Sequence, residues 1–310
     1  MRIVVHGQQA FGKAVLERLL ERGETVVAVC CAPTREGRPA DPLAELARQR
    51  GLPLHQPSSW KTPEALALMR SFEADICLMA YVLLFVPQAV LDAPRLGTFQ
   101  YHPSLLPHHR GPSSINWPIA QGKTRTGLSI FWPDDGLDEG PILLQKSCEI
   151  GPDETLGDVY FNKLFPMGVD AMIEALELVK AGIILKHRQD LATGSYESWF
   201  KRDIARIVWD RPVVDIYNLV RASNPAPGAW TTLAGAEFDI FECALTSPLE
   251  ASHRAASPGE ILAIDGAGIE VAAGGGSIII KRVRPADAKK MPATEFAAAI
   301  GLKRGDVLGV

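Results

Sequence analysis

Two short segments of the chain carry residues whose side chains could move a proton. Gln100 and His102 stand two apart in Thr-Phe-Gln-Tyr-His, and Asp138 closes the later run Asp-Asp-Gly-Leu-Asp. Alternate side chains of a strand share a face, so Gln100 and His102 are predicted to point one way and Tyr101 the other. Histidine exchanges a proton near neutral pH, and a nearby carboxylate can orient the imidazole and order a water. The pattern predicts general acid–base chemistry by His102 and Asp138.

The residues after His102 predict an irregular loop at the carboxyl end of a strand. Pro103 and Pro107 cannot donate a backbone hydrogen bond, and each restricts the residue before it, so regular pairing stops there. Open α/β sheets build their ligand crevices at the carboxyl ends of strands. We therefore expect His102 to face such a crevice, with Asp138 delivered by the loop after another strand at 127–133.

The paired motif resembles the signature of the 10-formyltetrahydrofolate-dependent formyltransferases and hydrolases. One half is His-x-Ser-Leu-Leu-Pro-x-x-Arg-Gly, from His102 to Gly111, and the other is Gly-Leu-Asp-x-Gly, from Gly136 to Gly140. Asp138 lies 36 residues after His102, which is the usual spacing in that family. Within the family, these segments are most similar to the amino-terminal formyl hydrolase domain of 10-formyltetrahydrofolate dehydrogenase. Methionyl-tRNA formyltransferase is a more distant match.

The resemblance implies an enzyme that uses 10-formyltetrahydrofolate as formyl donor and releases tetrahydrofolate. The formyl group would pass to water or to an acceptor thiol, with His102 and Asp138 as the catalytic residues. Two loops would hold the folate, one through Tyr81, Val82, Leu83 and Leu84 and the other through Ser104, Leu105, Leu106 and Pro107. No metal is expected. The carrier and aldehyde dehydrogenase segments of the larger enzyme are not in this chain, so NADP chemistry is not expected either.

Gln100 departs from the pattern of both branches of the family. The transferases generally carry asparagine at this position, where its amide helps to hold the formyl oxygen, whereas the hydrolase domains generally carry an apolar residue. Gln100 keeps the amide and adds one methylene, so it could donate a hydrogen bond from a shifted position. We expect a direct polar role for Gln100. The acceptor stays open between water, a thiol and an amine.

Three other functions stay open from the sequence. One is an amine formyltransferase that acts on methionyl-tRNA, an amino sugar or a hydroxylated amino acid. Another is a folate-binding module without turnover, although the presence of both His102 and Asp138 argues against it. A Rossmann-type oxidoreductase is the third, because the chain opens with a β-α-β pattern. The segment from Gly7 to Gly12 lacks GxGxxG, however, and is predicted to be a structural turn.

Composition predicts a soluble cytoplasmic protein with small-molecule partners. The 310 residues are 47% hydrophobic and 22% charged, which is ordinary for a globular protein. A net charge of −4 gives no electrostatic reason to expect nucleic acid. The five cysteines lack CxxC spacing and predict buried thiols in a reducing cytosol. The first residues are predicted to form a strand rather than a signal peptide, and no apolar run is long enough to span a membrane.

Hydrophobic periodicity predicts an α/β protein with two domains. Residues 1–203 are expected to form a Rossmann-like, mostly parallel sheet, and residues 204–310 a small β-rich domain. The resemblance implies the formyltransferase fold for the first and an open β-barrel for the second. A helix is predicted from Ser113 to Gln121, with a serine as its cap. Helical spacing from Thr155 to Lys180 contains Pro166 and predicts a kink or two consecutive helices.

Several polar segments are predicted to have no part in the chemistry. His108 and His109 are expected to be solvated on a surface loop. Asp134 and Asp135 are expected to form a turn. The mixed polar stretch from Gly182 to Trp199 is predicted to be a linker. Solvated or structural roles are expected for a basic group and for the remaining histidines: Arg282, Arg284, Lys289 and Lys290, and His6, His55, His187 and His253.

Overall fold

The computed structural model describes residues 1–34, 36–246 and 256–310, which leaves His253 outside the described residues. Its contacts divide the chain into two compact units. The first unit comprises Met1–Ser114, Thr126–Cys148 and Phe161–Glu197, and the second comprises Ile115–Arg125, Glu149–Tyr160 and Ser198–Val310. Each unit is thus assembled from three stretches of sequence. The domain boundary after residue 203 stays a prediction.

A seven-stranded sheet forms the centre of the first unit. Its strands follow the order β3-β2-β1-β4-β5-β6-β7, with these bounds: β1 Arg2–Gly7, β2 Thr25–Cys30, β3 Leu54–His55, β4 Ile76–Ala80, β5 Thr98–His102, β6 Arg125–Phe131 and β7 Ile142–Glu149. The pairs from β3 across to β5 are parallel, and β6 runs antiparallel to β5. The predicted Rossmann-like, mostly parallel sheet is confirmed.

The central strands of this sheet are apolar on both faces, as is usual for parallel strands covered on both sides. Ile3 and Val5 of β1 belong to the core on one face, and Val4 belongs to the core on the other face, beside Trp60. The second face also takes up thiols of the neighbouring strands. Cys30 and Cys77 are buried there, and Cys31 is buried on the first face, so the predicted burial of cysteines is confirmed for these three.

Helices connect the strands at the positions where apolar residues recur with helical spacing. Their bounds are α1 Gln9–Glu21, α2 Pro42–Gln49, α3 Pro63–Ser71, α4 Gln88–Leu91, α5 Asn116–Ala120, α6 Leu156–Val159 and α7 Phe165–Lys180. A π-helix at Tyr160–Leu164 separates α6 from α7, and Pro166 lies in the first turn of α7. The predicted interruption is confirmed. No helix among the described residues is both long and apolar enough to cross a membrane.

The helix predicted from Ser113 to Gln121 is shorter than expected. It begins only at Asn116, and no side chain caps it. Residues 112–115 form turns instead. The backbone N–H of Gly111 donates to the carboxylate of Asp138, which ties the preceding loop to a distant part of the chain. The local preference of the serines for a helix cap is therefore not realised at this helix start.

The second unit contains an antiparallel sheet, in the order β10-β11-β12-β9-β8 with β13 paired to β12. Its remaining elements are α8 Val213–Ala222, β8 Ala229–Leu233, β9 Ala236–Leu245, β10 Ile261–Asp265, β11 Gly268–Ala273, β12 Gly276–Pro285, β13 Met291–Pro292 and α9 Ala293–Ile300. The predicted β-rich character is confirmed. The basic group is solvated as predicted, since Arg282, Lys289 and Lys290 are exposed and the Arg284 side chain is 42% exposed while it pairs with buried Asp239. Lys290 Nζ also lies 3.5 Å from the centre of the Phe241 ring.

Candidate active site

Strand β5 presents the central residues of the site on one face. Tyr101 points to the opposite face, where its ring stacks on Phe11 with centroids 4.2 Å apart. Because strand side chains alternate, Gln100 and His102 share the other face. Gln100 is paired in register with Met79 of β4 and with Phe131 of β6, so it lies in the interior of the sheet. Among the described residues, none hydrogen-bonds its side-chain amide, which stays available to a ligand.

His102 and Asp138 come together as the motif spacing predicts. His102 Nδ1 lies 3.6 Å from Asp138 Oδ2, and the two side chains are only 7% and 11% exposed. His102 Nε2 lies 3.0 Å from the carbonyl oxygen of His109. A carbonyl oxygen only accepts, so Nε2 must carry a hydrogen in this arrangement. The lone pair of the neutral ring is therefore on Nδ1, the atom that faces the carboxylate.

Asp138 has an unusual backbone conformation for a residue with a side chain. Its φ is 55°, in the left-handed region that costs a non-glycine residue about 1–2 kcal/mol. The Asp138 carboxylate accepts a hydrogen bond of 2.9 Å from the backbone N–H of Gly111. Gly140 follows closely, and a side chain there would overlap the carbonyl oxygen of Trp132. Sterics and hydrogen bonds therefore fix this loop tightly next to His102.

The loop after β5 is held mainly by Ser129 of β6. The Ser129 hydroxyl donates to the carbonyl of Ser104 at 2.7 Å and accepts from the backbone N–H of Leu106 at 3.1 Å. The side-chain amide of Gln145 donates to both the Ser129 hydroxyl and the Leu106 carbonyl. The side chains of Ser104 and Leu106 are buried. Of the folate-contacting residues predicted here, only Leu105 and Pro107 are partly exposed.

The other predicted folate loop follows β4 at the same edge of the sheet, because β4 and β5 are parallel neighbours. Tyr81 has a φ of 66° and is 38% exposed, and Leu83 is 52% exposed. Val82 and Leu84 pack against the core instead. In this loop every second side chain, Tyr81 and Leu83, is therefore exposed to solvent. In the loop after β5, by contrast, the side chains of Ser104 and Leu106 are buried.

Residues 187–197, which we call the clasp, contact both halves of the motif. At one end, His187 exchanges two backbone hydrogen bonds with Ile142, and the Gln189 side chain donates to the carbonyls of Asp138 and Gly140. These residues belong to the stretch predicted to be a linker. The chain does pass from the first unit to the second within that stretch, after Glu197, but residues 187–197 are anchored by hydrogen bonds. The stretch looked like a linker because it is polar and without periodicity, but its polar groups satisfy the backbone of distant loops.

The other end of the clasp holds the loop between His102 and Gly111. Ser195 donates its N–H to the carbonyl of Pro107, and its hydroxyl accepts from the N–H of His109. The N–H of Arg110 donates to the Ser195 carbonyl, and the N–H of Glu197 donates to the carbonyl of Arg110. The clasp thus fixes the carbonyl of His109, to which the His102 ring donates.

His109 is not the solvated residue that the sequence predicts. Its side chain is 12% exposed, and its Nδ1 lies 3.1 Å from Glu197 Oε1. Arg110 is similarly enclosed and forms an ion pair with Glu139. No local pattern marks His109 and Glu197 as partners, since they are 88 residues apart. By contrast, Asp134 accepts a hydrogen bond from the N–H of Gly136 and forms the expected turn.

Comparison with known sequences identifies the family. A sequence model of the formyl transferase family matches residues 1–176, and a model of the formyl transferase C-terminal domain matches residues 200–301. This chain belongs to the formyltransferase family. The first matched region contains all seven strands of the first sheet together with His102 and Asp138. The second contains β8 to β13 of the second sheet.

Two kinds of curated relative match this chain at similar identity. The cytosolic 10-formyltetrahydrofolate dehydrogenase of Mus musculus is 37% identical over 312 residues, which cover 96% of this chain but 34% of that protein. The methionyl-tRNA formyltransferase of Trichlorobacter lovleyi is 36% identical over 312 residues, which cover 99% of this chain and 96% of that protein. The chain thus spans about a third of the length of the dehydrogenases that it matches. Identity does not separate the two groups.

Solved structures share the fold of this chain. The complex of HypX from Aquifex aeolicus with tetrahydrofolic acid superposes with a TM-score of 0.66 at 19% identity, over 96% of this chain and 47% of that one. An N-formyltransferase of Helicobacter canadensis, in complex with folinic acid and dTDP-3-aminofucose, superposes with a TM-score of 0.67 at 16% identity, over 90% and 98% of the two chains. At these identities the likeness establishes the fold.

Proposed function

We propose that this formyltransferase removes the formyl group from 10-formyltetrahydrofolate and passes it to water or to an acceptor thiol. The observation that carries the proposal is the pair of His102 and Asp138, whose ring nitrogen and carboxylate oxygen are 3.6 Å apart at the carboxyl end of β5. Gln100, on the same face of that strand, supplies an amide without a partner among the described residues. In this proposal the substrate contacts a base, His102, with the Asp138 carboxylate beside it, and a hydrogen-bond donor, Gln100.

The proposed reaction with water follows from the tautomer of His102. Water attacks the formyl carbon, and His102 Nδ1 accepts the proton that the water loses. The Asp138 carboxylate stabilises the resulting imidazolium, while the Gln100 amide donates a hydrogen bond to the negative formyl oxygen. The bond from the formyl carbon to N10 then breaks, and the proton passes from His102 to N10. The products are formate and tetrahydrofolate. With a thiol as acceptor, the same steps give a thioester.

We propose that the folate contacts both loops at this edge of the sheet. Tyr81 and Leu83 would supply exposed side chains, with Val82 and Leu84 setting the shape of the loop from below. The segment from Ser104 to Pro107 would contribute backbone groups and the sides of its exposed residues, because the Ser104 and Leu106 side chains are buried. The complex of tetrahydrofolic acid with HypX, which shares the fold, supports this class of ligand. The unpaired buried thiols suit a cytoplasmic location.

The test measures tetrahydrofolate release from 10-formyltetrahydrofolate, first without acceptor and then with a pantetheine thiol. We expect His102→Ala and Asp138→Asn each to lower the rate on the order of a hundredfold or more, as is typical when a general base or an electrostatic partner is removed. His108→Ala is the matched control, because that histidine is exposed and close in sequence. Wild-type protein that leaves the substrate untouched with every acceptor would refute the proposal. Tight folate binding without turnover would indicate a binding module.

An amine acceptor is the second candidate, and one observation favours it. The methionyl-tRNA formyltransferase of Trichlorobacter lovleyi matches this chain almost end to end, at the same identity as the dehydrogenases. Gln100 keeps an amide at the position where the transferases carry one. The same assay decides between the candidates. Release that requires methionyl-tRNA or an amino sugar, with formation of an N-formyl product, would make this chain an amine formyltransferase.

A further inference from the structure

Gln189 touches the Asp138 loop from the clasp through its side-chain amide. Its Nε2 donates to the carbonyl oxygen of Asp138 at 2.9 Å and to that of Gly140 at 2.7 Å. Both acceptors are carbonyls, so the amide orientation is settled by chemistry: a flipped amide would set oxygen against oxygen. One of these hydrogen bonds is to Asp138, the residue that faces His102, and the other is to the residue two positions further on. Gln189 lies 51 residues further along the chain than Asp138.

These two hydrogen bonds act on a backbone that would otherwise prefer another conformation. With a φ of 55°, Asp138 is held in the left-handed region, which residues with a side chain adopt less readily than a negative φ. The Asp138 carboxylate has its own tether, the N–H of Gly111. The Asp138 carbonyl is held by Gln189. Rotation of the Asp138 backbone would turn its carboxylate away from His102 Nδ1. The hydrogen bond from Gln189 to the Asp138 carbonyl therefore helps to maintain the 3.6 Å distance between the two side chains.

The Gln189 amide satisfies two backbone carbonyls of the Asp138 loop, but at a cost elsewhere in the same side chain. The other amide atom, Oε1, is buried, and no described residue gives it a hydrogen bond. An apolar side chain of similar shape would leave both carbonyls without this donor, whereas the unsatisfied buried Oε1 carries a cost of its own. That cost offsets much of what the two donated hydrogen bonds contribute to stability. The amide therefore serves the geometry of the loop more than the stability of the unit.

We infer that Gln189 is a positioning residue for the reaction, which holds the Asp138 carboxylate against His102 by fixing the Asp138 backbone. This inference rests on the proposed function of the pair. Gln189 itself does not touch the reacting atoms. Its contribution runs through Asp138, so it must disappear when the carboxylate is absent.

The test is a double-mutant cycle with Gln189→Met, which keeps the length of the side chain and removes both donors. We expect kcat for tetrahydrofolate release to fall at least tenfold, with KM for 10-formyltetrahydrofolate changed less than threefold. In the Asp138→Asn background, the same substitution should change kcat less than twofold. Gln49→Met is the matched control, because Gln49 is exposed at the end of α2. Gln189→Leu serves as a second variant should the methionine protein fold poorly.

Either of two kinetic results would overturn the inference. One is a loss of kcat from Gln189→Met that is fully retained in the Asp138→Asn background, since a merely structural role predicts additive losses. The other is a loss confined to KM. The ¹⁵N chemical shifts of the His102 ring give a readout that needs no turnover. They should change in the same direction in Gln189→Met and in Asp138→Asn. This outcome would support the inference even if wild-type protein failed to turn over the folate, and unchanged shifts in Gln189→Met would refute it.

Discussion

His6 makes the stability of the first unit sensitive to acid. The side chain is 3% exposed in β1, its Nδ1 has no hydrogen-bond partner among the described residues, and its ring lies 4.8 Å from that of Trp60. Burial therefore lowers the pKa of His6 from 6.5 to about 3. The folded unit keeps the ring neutral, whereas the unfolded chain binds a proton below pH 6.5. The contribution of neutral His6 to the free energy of unfolding is therefore full above pH 6.5 and is lost as the pH is lowered toward 3.

The size of the effect follows from that pKa difference. A pH of 5.0 is 1.5 units below the pKa of 6.5 that His6 has in the unfolded chain, which corresponds to about 2 kcal/mol of lost stability. His6→Leu removes the titrating group and should reduce the loss between pH 7.5 and pH 5.0 by that amount. Urea unfolding at both pH values measures it, with His187→Leu as the control because that side chain is exposed. Equal acid sensitivity in wild type and His6→Leu would refute the burial argument.

Two further predictions concern the loops of the candidate site. Gly140→Ala should destabilise the protein by about 3 kcal/mol, because the new methyl group would overlap the carbonyl of Trp132. Thermal unfolding should show this loss and no comparable loss for Gly266→Ala, where the space is open. Ser129→Ala should cost about 2 kcal/mol, because two backbone groups of the loop after β5 lose their partner. Urea unfolding would contradict that reasoning if Ser129→Ala were no less stable than Ser71→Ala, which alters an exposed hydroxyl.

The sequence was sufficient to predict the sheet and the meeting of His102 with Asp138. Short apolar runs at regular intervals are typical of buried parallel strands, and the proline-rich loop after His102 marks the strand end. The meeting of the two halves was implied by the family motif and not by the strand pattern, because β6 runs antiparallel to β5. The structure places their side chains 3.6 Å apart. The catalytic role of the pair stays a proposal.

The clasp could not be predicted, because its interactions leave no periodic pattern. Gln189 and Glu197 act on loops 51 and 88 residues away, and their partners include backbone groups, which every residue carries. His109 was misjudged for the same reason. A histidine on a proline-rich loop is usually solvated, and the distant carboxylate of Glu197 helps to make the burial of His109 favourable. Sequence periodicity reports which face is apolar but not which distant polar groups meet.

The divided construction of the second unit limits how this gene can recombine with its relatives. Arg221 of α8 donates to the carbonyls of Gly151 and Glu154, and Asn116 donates to the carbonyl of Ala222. A crossover near residue 198 would therefore join stretches 115–125 and 149–160 of one parent to the remainder of the unit from another. Hybrids of this kind would need matched residues at those hydrogen bonds, so the three stretches are expected to be inherited together.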